Sequence, residues 1–207
     1  MDLSSVITPL IEPILYDDFV KCAQPLVDAM KNPSQSTEYP DIFLKALLGM
    51  TDEECIAREN LIHQQKVLDQ KIATFHEEFM GKFFGWRTLP PGDGLADVRI
   101  MKRAFNYKEA CIGMEVINRT NVDNLVKVIR TLTAFAGSKS NNKAILVIIN
   151  CFKECIPRFG LPDCIQVMHG EEAYAHLSGR DSYYHDLQKA LELFAQSKAT
   201  GPLISEQ

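Results

Sequence analysis

After Thr51, apolar residues fall at three- and four-residue steps through Leu61, Leu68, Ile72, Phe75, Phe79 and Phe83, and neither proline nor glycine interrupts before Gly81. That spacing lines them along one face of a long helix and predicts that this face packs on a sheet. The opening TDEE at Thr51 supplies a hydroxyl cap and an acidic first turn, both favoured where helix N–H groups lack partners. Beyond Gly85 the period turns from helical to extended. The loop LPPGDG redirects the chain, Asp97 to Phe105 reads as a strand, and Ala110 to Asn118 (ACIGMEVIN) reads as a second, joined to the first as a hairpin through the polar segment 106–109. Leu125, Val128, Ile129, Leu132 and Phe135 return to helical spacing, with Gly137 as the expected stop.

The run AILVII from Ala144 is continuously apolar and β-branched, which predicts an internal strand covered on both faces. Cys164 to Met168 reads as a further short strand, HGEEAYAHL as a helix, and the stretch from Asp181 through Leu187, Leu191 and Phe194 as a last amphipathic helix. Residues 1–50 read as short helices broken by Pro13, Pro25, Pro33 and Pro40. The expected organisation is an N-terminal helical flank over residues 1–50, an α/β domain over 51–197 with a mixed central sheet flanked by helices, and a flexible tail over 198–207.

Composition changes this picture little. With 207 residues, 46% hydrophobic and 24% charged, the chain has the material for a sizeable core and none of the bias of a disordered segment. A net charge of −5 rules out a uniformly basic surface but leaves room for a locally basic cleft. No stretch approaches the roughly 18 consecutive apolar residues of a membrane span, and the start of the chain is acidic where a leader peptide is basic, so a cytoplasmic or nuclear protein is expected. The six cysteines form no CxxC pair, and reduced, mostly buried thiols are the plainer reading. Cys151 and Cys155 have ligand-like spacing, but Cys164 and His169 must be stretched to complete a zinc site.

Candidate chemistry centres on two carboxylates, Asp97 at the start of one hairpin strand and Glu115 inside the next. Carboxylates on neighbouring strands repel unless a cation joins them, and a hard ion such as Mg²⁺ takes oxygen donors of this kind. Against that stands a plain alternative, in which Asp97 caps the strand entry and Glu115 points to solvent.

The surroundings narrow the choice. The helix ending FHEEF, the segment GDGLADVRI around Asp97, and GMEVINRTNVDNLVKVIRTL leading from Glu115 through Asn118, Arg119, Thr120 and Asn121 into a helix together resemble the PD-(D/E)xK nuclease superfamily. More narrowly they are similar to type II restriction endonucleases, and the segment IQVMHGEEAYAHLSGRDSYYHDLQKAL extends the likeness over roughly residues 55–196. The resemblance implies a restriction-endonuclease-like fold, Mg²⁺ as cofactor, DNA as partner and a homodimer. It makes Asp97 and Glu115 the metal-binding carboxylates, with Glu78 or Glu77 as a third, and hydrolysis of DNA phosphodiester bonds the activity.

One position departs from the pattern. Where the family carries lysine two residues after the glutamate, this chain has Ile117, which cannot orient a water or offset phosphate charge. Arg119 or Lys127 could reach back in its place, the metal could act alone with slower chemistry, or catalysis could be lost while binding remains. The alternative function is therefore an inactive nuclease-fold module that binds nucleic acid or a protein. His76 and His169 are expected to be packed, hydrogen-bonded residues rather than catalytic ones. Lys102, Arg103 and Lys108 suit phosphate contacts and suit an ordinary solvated turn equally well.

Overall fold

The computed structural model describes residues 2–36, 42–89, 100–103, 111–118, 122–138, 142–150 and 161–199. Four helices come first: α1 (Leu3–Ile11), α2 (Tyr16–Lys31), α3 (Ile42–Leu48) and α4 (Asp52–Met80). Then follow β1 (Trp86–Thr88), β2 (Ile100–Arg103), β3 (Cys111–Ile117), α5 (Val122–Ser138), β4 (Lys143–Ile148), β5 (Ile165–His169), α6 (Gly170–Ser178) and α7 (Tyr183–Ala199). The five strands lie in the sheet in chain order. β1, β2 and β3 pair antiparallel, whereas β3, β4 and β5 pair parallel, so β3 is the seam of a mixed α/β sheet.

α4 begins as its sequence dictates. Thr51 Oγ1 accepts from the Glu54 N–H at 3.2 Å and the Glu54 carboxylate accepts from the Thr51 N–H at 2.8 Å, a reciprocal cap worth about 1 kcal/mol. Gly81 closes the helix. Its apolar stripe is buried only in the second half: Phe75, Phe79 and the following Phe83 are enclosed, Leu68 and Ile72 are half-buried, and Leu61 is exposed.

The two faces of the sheet follow from the strand period of two. Met114, Val116, Ile145, Val147 and Met168 face a large cluster built from α1, α2, α4, α6 and α7. Ile117, Ala144, Leu146, Ile148 and Ile165 face a smaller one closed by Leu125, Leu132 and Phe135 of α5. The run from Ala144 to Ile149 is buried throughout, because alternate residues serve the two clusters.

Several expectations are refined. β1 pairs with β2 in register Trp86↔Lys102, a strand the sequence pattern did not mark. Of the strand expected from Asp97 to Phe105, residues 100–103 are described, and they pair antiparallel with β3. Pro25 lies inside α2 rather than at its end, and the helix runs on despite the N–H it cannot offer to Lys21. α5 continues past Gly137 to Ser138. The first two helices share the main core: Ile7, Ile11, Phe19 and Cys22 join the same cluster as Met114 and Val116, with α1 against α7 and α2 against α4. Among the described residues, no helix is long and apolar enough to cross a membrane.

Candidate metal centre

Glu115 is the fifth residue of β3, with the antiparallel β2 on one side and the parallel β4 on the other. Its register partner in β4 is Leu146, and by the strand period it shares the α5 face with Gly113 and Ile117. The residue is only 7% exposed. That rejects the plain alternative in which Glu115 points to solvent. An ionised carboxylate at this depth requires a partner of opposite charge or several hydrogen bonds, because desolvation of an unpaired charge is severe. α5 closes tightly on the strand just before it: a Cβ on Gly113 would lie 2.6 Å from the Phe135 ring, so only glycine fits.

The other expected participants fall in different places. Asp97 and Arg119 lie outside the described residues, as do Lys108, Cys151 and Cys155. Ile117 is buried in the aliphatic cluster with Leu125, Leu132 and Ile148. The position that lysine would occupy is thus a packed core site, one in which an ammonium would lose its hydration. Lys127 is exposed on α5, whereas the buried Leu125, Leu132 and Phe135 define that helix's inner side. A residue two positions from Leu125 is turned by about 200° around the helix, which places Lys127 on the solvent side of α5 rather than the side that meets the strands.

Glu78 is half-buried on α4, which packs on the sheet face opposite Glu115. It lies beside α2, near enough to Cys22 to add to the effect of burial, which pushes that thiol up to about 11. The structure therefore does not bring Glu78 and Glu115 together. Glu77 is also half-buried, and its backbone carbonyl accepts from Thr88 Oγ1 at 3.2 Å, tying α4 to β1. Among the described residues no three His, Cys, Asp or Glu side chains converge as a ligand set.

The two histidines are held structurally. His76 is enclosed on α4, its Nδ1 2.8 Å from the Tyr174 hydroxyl, and burial lowers its pKa to about 3, so the ring is neutral. His169 ends β5 and caps α6, its backbone N–H donating to the Glu172 carboxylate at 3.1 Å.

A polar cluster that the sequence pattern did not reveal sits where β3 and β4 end. Asn118 is buried, its amide donates to Asp69 Oδ1 at 3.0 Å, and its side-chain oxygen accepts from Asn150 Nδ2 at 2.6 Å. The backbone completes the clasp, the Asn150 N–H donating to the Asn118 carbonyl at 2.9 Å. Asp69 thereby anchors α4 to the carboxyl ends of the parallel strands, the edge at which open α/β sheets offer space for ligands. A mid-helix aspartate between Leu68 and Ile72 was the available signal. Asn118 is 49 positions from Asp69 and 32 from Asn150 in the chain, beyond the reach of any local pattern.

The geometry thus offers one buried carboxylate on the seam strand, a clasped strand edge, and no cation at the position where the resemblance wants lysine. No protein-family model matches the chain, and no curated protein matches it.

Proposed function

We propose that this chain is a restriction-endonuclease-like protein in which Asp97 and Glu115 hold Mg²⁺ for hydrolysis of DNA phosphodiester bonds. The observation that supports the reading is Glu115 itself: a carboxylate 7% exposed on the seam strand of a mixed sheet, at the position where the resemblance puts a metal-binding oxygen donor. Helices on both faces of that sheet, α4 on one and α5 on the other, are the architecture the resemblance implies and support it. Carboxylate oxygens are the donors a hard divalent ion takes, and such an ion lowers the pKa of a bound water and offsets charge on the phosphate. Glu115 would orient the ion from the rigid strand, with Asp97 supplying the second carboxylate.

A second reading is favoured by Ile117. Its enclosure with Leu125 and Leu132 leaves the site without the amine that assists attack, which suits a module that binds duplex DNA without cutting it. Incubation of the purified protein with supercoiled plasmid and Mg²⁺ distinguishes the two. Cleavage that disappears in Asp97→Ala and in Glu115→Gln supports the nuclease, and intact plasmid retarded in a gel supports the module. Intact, unretarded plasmid in every condition refutes both.

A further inference from the structure

We infer that Asp69, acting through Asn118, is a positioning residue for the Glu115 carboxylate, an inference that rests on the metal-site reading above. Among the described residues β3 pairs with β2 as far as Met114, and from Glu115 onward its backbone pairs with β4 alone. Strand ends are where a fold opens most readily, so a carboxylate placed there needs support from elsewhere. The clasp at the carboxyl end of β3 supplies it. The Ile149 and Asn150 N–H groups donate to the Ile117 and Asn118 carbonyls at 3.0 and 2.9 Å, carrying the parallel ladder past the end of β4. The Asn118 side chain, 5% exposed, then bridges Asn150 on one side and Asp69 of α4 on the other.

Asp69 works at a distance from the carboxylate. By the strand period Asn118 falls on the α4 face with Met114 and Val116, whereas Glu115 lies on the α5 face. Asp69 is therefore placed to steady the strand and not to ligate the same ion. Glu115 precedes Asn118 by three residues, roughly 10 Å of extended chain. The two residues between them, Val116 and Ile117, are β-branched and packed into opposite clusters, so a shift of the strand end is passed along the backbone rather than absorbed. A functional side chain must be held within about 0.5 Å of its working place by its supports. Without the Asp69 oxygen, the buried Asn118 amide loses its acceptor on α4, and the strand end relaxes toward another.

The test is calorimetric titration of the purified, folded protein with Mn²⁺, which takes the same oxygen donors as Mg²⁺. Binding by the parent should disappear in Glu115→Gln. Asp69→Ala should bind Mn²⁺ about tenfold more weakly, the size of effect that lost support of a ligand produces. Asp69→Asn removes the charge but keeps an oxygen to accept from Asn118, and should bind as the parent does. Asn150→Ala, at the exposed end of the clasp, removes the other side-chain bond and should also weaken binding. Thr51→Ala loses the cap at the far end of the same helix, so it lowers stability and should leave Mn²⁺ affinity unchanged. Parent-like affinity in either Asp69→Ala or Asn150→Ala, or an Asp69→Asn variant as weak as Asp69→Ala, overturns the positioning role and leaves the metal site standing. A parent that binds no Mn²⁺ overturns both.

Discussion

On the α4 face of the sheet the core is aromatic, and its buried polar groups meet one another. Phe75 and Phe79 stack at 5.5 Å, Tyr174 stacks on Tyr183 at 5.9 Å, His76 meets the Tyr174 hydroxyl, and the Tyr183 hydroxyl donates to the Ile11 carbonyl at 2.5 Å. On the α5 face one helix covers the strands with mostly aliphatic side chains, and among them sits Glu115. Among the described residues, five helices cover the first face and one covers the second. The difference is one of polar burial: the aromatic face pairs its buried histidine and tyrosine hydroxyls within the cluster, whereas the thin face sets a carboxylate among aliphatic side chains.

The contrast can be broken at several points, the largest effect first. Phe79→Ala should remove about 3–5 kcal/mol of unfolding free energy in urea titration, because the ring contacts Phe19, Phe75, Phe83, Tyr174 and Tyr183 and leaves a cavity among stiff neighbours. Ile117→Lys on the opposite face should cost about 2–4 kcal/mol through a buried ammonium. A fully stable Ile117→Lys protein would show that the thin face has room for the amine, and a gain of DNA cleavage in it would favour the nuclease over the binding module. Asn118→Ala should cost about 2 kcal/mol, since Asp69 and the Asn150 side chain each lose a hydrogen bond to the Asn118 amide at the strand ends.

His76 gives the aromatic face its own pH signature. Burial holds its native pKa near 3, below the 6.5 of the exposed ring, so the unfolded chain binds the proton first and stability falls as pH falls. The contribution is intact above pH 6.5 and is lost progressively toward pH 3. Between about pH 7.5 and 5.5 it should amount to about 1.4 kcal/mol, measured as the difference in urea-unfolding free energy that the parent shows and His76→Phe lacks. The smallest effect belongs to Lys127→Ala, which should leave stability within about 0.5 kcal/mol and any cleavage rate unchanged, because the ammonium faces solvent. A lost cleavage activity there would mean that the residue turns inward when DNA binds.

Local pattern disclosed what local physics decides. The Thr51 cap, the helical spacing from Leu125 to Phe135 and the apolar run from Ala144 each define an element on their own, and each is found. β1 escaped because three residues are too few to display a period. Leu61 was grouped with Phe75 and Phe79 because spacing marks a helix face but carries no information on whether anything covers it. At the candidate site, Glu115 was legible as a carboxylate in a strand, while its burial depended on α5 folding across it. The clasp of Asp69, Asn118 and Asn150 was hidden because its members meet only once α4 lies across the strand ends.

The contact of α1 with α7 has a consequence for biosynthesis. Arg180 donates to the Glu12 carbonyl at 3.2 Å and the Tyr183 hydroxyl to that of Ile11, so α1 finds its mate only after α7 has been synthesised. Until then Ile7 and Ile11 lack their α7 cover on the nascent polypeptide, exposed apolar side chains of the kind that invite association or chaperone holding.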